Sequence, residues 1–280
     1  MKPSGRVLKW PAEAIWEAVA PTLPGFTVEV LPQIDSTNTE LMRRARAGQA
    51  EPVLLVAETQ SAGRGRLGRQ WDSGTAEQVG AALTFSLGLP LQMADWSGLS
   101  LAVGVSVVQS LHPDLQLKWP NDIWLHDRKL AGILIETANN APTLATAAAG
   151  TLGQPGAAGS GAMRYAVIGV GINIAPRTAT GLATPPAWLQ ELEPCLDAPA
   201  ALLRVAAPLV QAVQRFEAQG FAPFREAFLR RDALSGRSVN LSDGSQGLAQ
   251  GVDGSGALLV HTSAGLTRVN SSEVSVRPST

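Results

Sequence analysis

Three arginines spaced by glycines lie within residues 60–71, whose sequence is QSAGRGRLGRQW. A guanidinium presents a planar set of donors that fits phosphate and carboxylate groups, and glycine lets the backbone bend around a ligand. An isolated Arg-Gly run is more commonly a solvated loop, but this alternation also suits guanidiniums that point inward at a polyanion. The segment therefore predicts an anion-binding loop that becomes ordered when an acyl phosphate or a triphosphate arrives.

Two other interpretations of this segment find no support in its neighbours. It contains G-x-G-x-x-G, but the residues after it, GRQWDSGT, are rich in turn formers, whereas a dinucleotide-binding turn needs a helix there. Single-strand nucleic-acid binders interleave basic residues with aromatics, and here Trp71 stands alone on a chain with a net charge of −1. Neither a Rossmann turn nor a nucleic-acid patch is predicted.

Composition places the chain among globular proteins of a reducing compartment. Its 280 residues are 45% hydrophobic and are enough for one large domain and a small one. Cys195 is the single cysteine, which excludes an intramolecular disulfide and a multi-cysteine zinc site. The N-terminal segment lacks the apolar core of a secretory signal, and no run reaches the ~20 apolar residues of a membrane span. A soluble, cytoplasmic protein is expected.

The elements that must position the arginine loop follow from hydrophobic periodicity and turn formers. Strands are predicted at 26–34, 52–59, 81–89, 115–120, 122–126, 129–137 and 164–174. Helices are predicted at 11–20, 35–48, 97–111, 199–219 and 221–231. Pro208 is expected to kink or interrupt the fourth helix, since proline removes a backbone donor. The Ala/Gly-rich residues 138–163 are expected to form a surface insertion.

The spacing of apolar runs and turn-forming residues changes near residue 235. From there, short apolar runs are separated by Asp-Gly, Gly-Ser and Ala-Gly turns every several residues. This spacing predicts a small all-β barrel attached to a larger domain. The predicted domains are therefore 1–234 and 235–280.

Four motifs occur in one order along the chain and carry a family resemblance. DSTN (35–38), GRGRLGR (63–69), KWPND (118–122) and RKLAGILIE (128–136), with VIGVGINI (167–174) after them, resemble the biotin–protein ligase family. The resemblance implies an α+β fold: a mixed, mostly antiparallel sheet flanked by helices, similar to class II synthetases, with a small C-terminal SH3-like β-barrel. Only about 30 residues precede DSTN, so the form lacking the N-terminal DNA-binding domain is expected.

The resemblance also implies an ATP-dependent, AMP-forming ligase. Such enzymes convert biotin and MgATP to biotinoyl-5'-AMP, then transfer biotin to a specific lysine of a biotin carboxyl carrier protein, in acetyl-CoA carboxylase or a related carboxylase. ATP and biotin are the implied substrates and Mg²⁺ the implied cation. No specific DNA and no membrane are expected as partners, and the chain is expected to be a monomer or a sheet-edge homodimer.

Site residues are carried over by resemblance alone. The implied biotin-binding residues are Ser36, Thr37, Asn38, Gln60, Arg64, Gly65, Arg66, Lys129 and Gly132. The implied ATP- or adenylate-binding residues are Arg64, Arg66, Arg69, Trp71, Lys118, Asn121, Asp122, Asn173, Glu273 and Arg277. Arg66 and Lys129 are the implied catalytic residues, Lys129 bridging the biotin carboxylate and the α-phosphate, and Asp122 is a candidate Mg²⁺ ligand. From the residues alone, 36–38 is more commonly an ordinary helix N-cap than a ligand site, and Asp122 could equally cap a turn.

Two alternatives remain open on the sequence. A lipoate- or octanoate-protein ligase-like acyl transferase would share the fold but lack the pairing of GRGRLGR with KWPND. A nucleotide-binding regulatory module without chemistry would keep the phosphate loop but lose its lysine, and Lys129 is present.

Overall fold

The structure is a computed structural model. It describes residues 8–74, 78–139, 162–176, 184–241, 244–270 and 276–278, without the side chains of 276 and 277. The helices are α1 (Ala12–Val19), α2 (Thr37–Arg46), α3 (Leu99–Leu111), α4 (Ala198–Gln219) and α5 (Arg225–Leu229). The first strands are β1 (Thr27–Ile34), β2 (Val53–Gln60), β3 (Ala82–Gln92), β4 (Gln116–Lys118), β5 (Asp122–Leu125), β6 (Arg128–Asn139) and β7 (Met163–Asn173). The later strands are β8 (Ser238–Leu241), β9 (Gln246–Val252), β10 (Leu258–Thr262), β11 (Gly265–Val269) and β12 (Val276–Pro278).

The chain divides into two units, and β6 and β7 each pass from one unit to the other. The first unit comprises residues 1–95 and 134–171. The second comprises residues 96–133 and 172–280. Neither unit coincides with the sequence-based boundary after residue 234, which stays a prediction.

In the first unit, the strand order is β1-β2-β3-β7-β6. The β1–β2 pair is parallel and the β2–β3 pair is antiparallel, so the sheet is mixed. Helix α2 packs on β2 and β3 with Leu41, Met42 and Ala45 buried, and Ala45 lies about one turn after the other two, as an amphipathic helix requires. Its N-terminus is capped as predicted, because Ser36 Oγ accepts a hydrogen bond from the Thr39 backbone N–H at 3.4 Å.

In the second unit, β6-β5-β4 form an antiparallel arrangement, and β11-β10-β9-β8-β12 form a small five-stranded sheet. The apolar run at 97–111 forms α3 as predicted, and α3 packs against α4. The predicted fold class is thereby confirmed: a large mixed sheet flanked by helices, with a small antiparallel C-terminal sheet. Most of the 138–163 insertion lies outside the described residues. Within the described part of the chain, no helix is both long and apolar enough to cross a membrane.

Two sequence-based expectations about the helices after residue 198 need correction. Helix α4 runs from Ala198 to Gln219 with Pro208 inside it, so the proline does not interrupt the helix, and the alternative expectation of a kink there stays a prediction. The predicted helix at 221–231 is shorter, with a 3-10 turn at Ala222–Phe224 followed by α5. Gly220, with a φ of 65°, separates the two helices as predicted.

A half-buried carboxyl next to β4 predicts a pH dependence of stability. Asp232 Oδ1 accepts the Leu234 backbone N–H at 2.9 Å, while Oδ2 is buried without a partner among the described residues. Burial raises the pKa of Asp232 from 3.8 to about 6. The native state therefore holds the proton more tightly than the unfolded chain, and the free energy of unfolding falls as pH rises from about 4 to about 6.

Asp232→Asn removes this titration and keeps the amide oxygen as an acceptor for Leu234. At each pH, the free energy of unfolding of Asp232→Asn is compared with that of the parent chain. We expect this difference to be about 2 kcal/mol more in favour of the variant at pH 8 than at pH 4. Urea unfolding at the two pH values measures the difference. If the difference in unfolding free energy between the variant and the parent chain is the same at both pH values, the assignment of a raised pKa to this carboxyl is contradicted.

Candidate functional site

An uncharged hydrogen-bonding cluster lies where β1 leads into α2, within the first unit. The Thr37 backbone N–H and Oγ1 both donate to Gln60 Oε1, at 2.8 and 3.2 Å. Ser86 Oγ, on β3, lies 2.7 Å from both Thr37 Oγ1 and Asn38 Oδ1. Thr37, Asn38 and Ser86 are all buried. Because these groups carry no charge and offer both donors and acceptors, they suit a neutral polar ligand group better than an ion.

A glycine on β7 makes room for this cluster. A Cβ added to Gly169 would lie 2.1 Å from Asn38 Oδ1 and 2.9 Å from Asn38 Cγ, closer than real Cβ contacts come. The Asn38 amide therefore occupies the space that any larger residue at 169 would need.

A carboxylate on β6 connects the cluster to the arginine loop. Glu136 Oε1 accepts from Arg64 Nη2 at 3.0 Å, and Oε2 accepts from Asn38 Nδ2 at 3.0 Å and from Arg64 Nη1 at 3.3 Å. Asn38 Nδ2 also donates to the Leu134 carbonyl at 3.2 Å. The charge of Arg64 is thus balanced at the base of the loop.

The arginine loop is closed at its base by backbone pairing. Trp71 N donates to Gly63 O at 2.9 Å, and Gly65 N donates to Arg69 O at 2.7 Å. The tip is a 3-10 turn at Arg66–Gly68, in which Leu67 adopts left-handed backbone angles and is 62% exposed. Gly65 needs no special conformation, since its φ is −122°. The loop thus has a fixed base and a solvent-facing tip.

The Trp71 indole packs against β7 at Gly171. A Cβ at Gly171 would lie 2.4 Å from Trp71 Cε2, so the ring fills the space that a side chain would take. Trp71 Nε1 is buried and has no hydrogen-bond partner among the residues that the structure describes. Gln60 N donates to Ser73 Oγ at 2.8 Å, which fixes the chain just after the tryptophan.

A second cluster, in the second unit, is built around Lys129. Lys129 Nζ lies 2.7 Å from Asp122 Oδ1, and the two side chains are 32% and 15% exposed. The Lys129 backbone is held through both its N–H and its carbonyl by the segment 185–187, donating to Pro185 O at 2.9 Å and accepting from Ala187 N at 2.8 Å. Asn173 Nδ2 donates to Ala187 O at 3.0 Å. The ammonium therefore projects from a rigidly fixed stretch of β6.

The KWPND residues support the same cluster. Asn121 Nδ2 donates to Ile133 O at 2.9 Å, and Ile133 N donates back to Asn121 O at 3.0 Å. Asp122 stands opposite Gly132 in the β5–β6 pairing. Lys118 is buried, and its Nζ lies 5.5 Å from the centre of the Trp124 ring, within range of a cation–π interaction.

The sequence-predicted site residues fall into these two groups. The uncharged cluster and the loop hold Ser36, Thr37, Asn38, Gln60, Arg64, Gly65, Arg66, Arg69 and Trp71. The lysine cluster holds Lys118, Asn121, Asp122, Lys129, Gly132 and Asn173. Glu273 lies outside the described residues, and Arg277 is described only by its backbone, which pairs with Asn240.

Sequence reasoning missed Ser86, Glu136 and Gly169. Ser86 lies in an apolar strand without a motif, whereas Glu136 and Gly169 lie within RKLAGILIE and VIGVGINI but were not among the implied site residues. A signal was available for Glu136, which is the acidic residue that ends RKLAGILIE, because a charge in a buried strand needs a partner.

Comparison with known proteins gives family matches over both parts of the chain. Residues 30–148 match the Biotin/lipoate A/B protein ligase family. Residues 234–277 match the Biotin protein ligase C terminal domain.

Named relatives align over most of the chain. The Bifunctional ligase/repressor BirA of Escherichia coli (strain K12) is 35% identical over 269 residues, spanning 91% of this chain and 75% of that protein. The Biotin--[acetyl-CoA-carboxylase] ligase of Paracoccus denitrificans is 33% identical over 266 residues, spanning 88% of this chain and 98% of that protein. The fold is similar to that of the biotin protein ligase from Aquifex aeolicus in complex with biotin and ATP, with a TM-score of 0.70 and 24% identity over 90% of this chain and 99% of that one.

Proposed function

The chain belongs to the biotin protein ligase family, and from this membership we propose that it activates biotin with ATP to biotinoyl-5'-AMP and transfers the biotin to a lysine of a biotin carboxyl carrier protein. The observation that carries the proposal is the uncharged cluster of Thr37, Asn38, Gln60 and Ser86, in which every member except Gln60 is buried. The ureido ring of biotin is neutral and has both donors and acceptors to match such groups. The dithiolane of lipoate offers neither and would form no hydrogen bonds with these groups.

The first half-reaction brings two anions together. An oxygen of the biotin carboxylate attacks the α-phosphorus of ATP, a bond forms between them, and pyrophosphate leaves with the electrons of the broken P–O bond. Cationic side chains lower the repulsion between carboxylate and phosphate and stabilise the charge that develops in the transition state. We assign this role to Lys129, with Arg66 and Arg69 of the loop binding phosphate oxygens.

The second half-reaction needs no nucleophile from this chain. The amine of the carrier lysine attacks the acyl carbon of the mixed anhydride, and AMP leaves. The task of the chain between the two steps is to keep water from the anhydride. A loop with a fixed base and a solvent-facing tip suits that task, because only the tip has to close.

The role that we assign to Asp122 is to orient the Lys129 ammonium. Its carboxylate oxygen is 2.7 Å from Lys129 Nζ, and it fixes where the ammonium points. The described residues hold no group of three or more His, Cys, Asp or Glu side chains suited to a metal ion. We therefore treat Mg²⁺ as part of the MgATP substrate, held mainly by phosphate oxygens. Asp122 as a direct Mg²⁺ ligand stays a prediction, and that role requires the contact with Lys129 to open.

Several further assignments belong to this proposal and rest on the family. Glu273 and Arg277 are proposed to reach toward the nucleotide, and residues 235–280 are proposed to be a separate domain. A cytoplasmic location and a monomer or sheet-edge homodimer are likewise proposed. We expect no sequence-specific DNA binding by this chain, since its net charge is −1.

The direct test of the function is the mass of a carrier domain after incubation with MgATP and biotin. We expect a gain of one biotin, at one lysine. Replacing biotin by lipoate in the same assay tests the alternative acyl transferase. Modification with lipoate but not with biotin would overturn the proposal.

Arg66→Gly tests the role of the loop tip. Glycine removes the guanidinium that is expected to hold the loop over the adenylate, while Lys129 remains to support synthesis. We expect pyrophosphate release to persist, slowed by about 10- to 100-fold, since a single hydrogen bond to a charged group contributes roughly 1.5–3 kcal/mol. Released anhydride should then label lysines of a non-carrier protein such as serum albumin.

The measurement is biotin incorporation into albumin beside biotin-dependent pyrophosphate release. Leu67→Ala, which alters an exposed tip residue without removing charge, is the matched control and should give no added labelling. Labelling that stays at the parent level in Arg66→Gly, with release still measurable, would remove Arg66 from the retention of the adenylate.

A further inference from the structure

The side chain of Glu136 contacts both the uncharged cluster and the arginine loop. It lies on β6, and its carboxylate accepts from Arg64 at the base of the loop and from Asn38 at the start of α2. None of the roles assigned so far uses it. A carboxylate that is only 22% exposed and has no reaction to perform needs a structural or positional reason to be there.

The carboxylate decides which way the Asn38 amide faces. An ionised carboxylate only accepts hydrogen bonds, so the amide group opposite it must be the donor Nδ2. Asn38 Oδ1 is then directed at Ser86 Oγ, 2.7 Å away. The side chain of Asn38 has no other room, since Gly169 closes the opposite side. Glu136 thus fixes the polarity of a buried group in the uncharged cluster.

The same carboxylate anchors the loop. Arg64 presents two nitrogens to Glu136, at 3.0 and 3.3 Å, in the two-point geometry that makes guanidinium–carboxylate pairs stronger than ordinary hydrogen bonds. An exposed ion pair contributes little by itself. This pair differs because one of its oxygens also holds the buried Asn38, so loop and cluster share one acceptor.

We propose that Glu136 is a positioning residue that couples the base of the arginine loop to the biotin-facing cluster. With Glu136 in place, Arg64 and Asn38 are held before biotin arrives, and only the loop tip has to become ordered. This inference rests on the proposed function for its kinetic test, but its structural consequence does not. Without the carboxylate charge, Arg64 loses its two-point partner and Asn38 loses the acceptor that orients it, and biotin must itself restore the arrangement.

Glu136→Gln keeps the size of the side chain and removes its charge. We expect the KM for biotin in pyrophosphate exchange to rise by about 5- to 20-fold, with kcat within about 2-fold, because the loss falls on ordering before binding and not on the chemical step. A side chain with a merely structural role would lower the active fraction, and therefore kcat, at unchanged KM.

Glu193→Gln is a matched control. Glu193 forms the same kind of two-point pair with Arg204, at 2.8 and 2.9 Å, with side chains that are 33% and 42% exposed. It lies in the second unit and contacts neither the loop nor the cluster through these bonds. We expect its biotin KM to equal that of the parent chain.

Limited trypsin digestion without ligand tests the loop independently of activity. We expect cleavage after Arg66 or Arg69 to be about 5-fold faster in Glu136→Gln than in the parent chain or in Glu193→Gln, since proteolysis follows the population of the opened segment. Glu136→Asp keeps the charge on a shorter stem, and we expect an intermediate rate and an intermediate KM. It also replaces Glu136→Gln in both assays if circular dichroism shows that the glutamine variant does not fold.

The outcomes separate the two claims. A parent chain without any biotin-dependent exchange overturns the proposed function, and the digestion rates still decide whether Glu136 holds the loop. Exchange activity with an unchanged KM and an unchanged digestion rate in the Glu136 variants overturns the positioning role and leaves the function standing.

Discussion

Lys129→Ala is expected to lower the rate of biotin-dependent pyrophosphate release by about 10²- to 10³-fold, the range seen when a group that stabilises transition-state charge is removed. The structure gives a reason for so large a loss. The Lys129 backbone is fixed by Pro185 and Ala187, and its ammonium is aimed by Asp122. Such a group costs no reorganisation at the moment of reaction, and no water molecule replaces it equally well.

The measurement is single-turnover release of pyrophosphate at saturating biotin and MgATP. Lys9→Ala, which removes an exposed lysine, is the control and should retain the parent rate. Because Lys129→Ala also leaves Asp122 without its ammonium partner, the double variant Asp122→Asn/Lys129→Ala is measured beside it. If the double variant recovers the parent rate, or if Lys129→Ala loses less than about 10-fold, Lys129 does not act in the chemical step.

Gly169→Ala is expected to raise the Kd for biotin by about 10²-fold, since each hydrogen bond lost in a buried cluster costs roughly 1–3 kcal/mol. The added Cβ would fall 2.1 Å from Asn38 Oδ1, so the Asn38 amide must move. Asn38 is held on its other side by Ser86 and Glu136. It has no free direction in which to yield, and the displacement therefore spreads through the uncharged cluster.

The control for this substitution is Gly254→Ala, where no atom lies within 4 Å of the added Cβ and the backbone needs no left-handed conformation. Isothermal titration with biotin alone, without ATP, separates the effect on the pocket from any effect on catalysis. A Gly169→Ala protein that binds biotin as tightly as the parent chain would show that Asn38 does not form part of the biotin pocket.

Local patterns along the sequence predicted most of the elements, for identifiable reasons. The Ser36 cap and the amphipathic spacing of Leu41, Met42 and Ala45 predicted α2, and uninterrupted apolar runs predicted β2 and α3. A helix break at Pro208 was one of two expectations, and it is wrong because it considers only the cost of proline in a helix interior, roughly 3 kcal/mol. Buried Val205, Ala206, Leu209 and Val210 surround it in α4, and their packing outweighs that cost.

The candidate site could be predicted only where a motif carries it. The arginine loop, KWPND and Lys129 stand in recognisable runs. Ser86, Glu136 and Gly169 lie on three different strands, and although Glu136 and Gly169 fall within RKLAGILIE and VIGVGINI, the role of each follows from its contact with Asn38. Such contacts arise from tertiary pairing between segments far apart in sequence, which no local periodicity encodes.

Two glycines in the second unit restrict how the C-terminal sheet could be exchanged between relatives. Gly256, between β9 and β10, would place a Cβ 2.8 Å from Gly98 Cα, and Gly98 would place one 2.9 Å from Ser255 O, so the two backbones touch directly. Trp119, in KWPND, is fully buried and donates its indole N–H to Gly256 O at 3.1 Å. A chimera that grafts another ligase's C-terminal segment onto this chain must therefore carry a glycine at the position of Gly256. A donor segment without it would disturb Trp119, and with it the turn that presents Asn121 and Asp122.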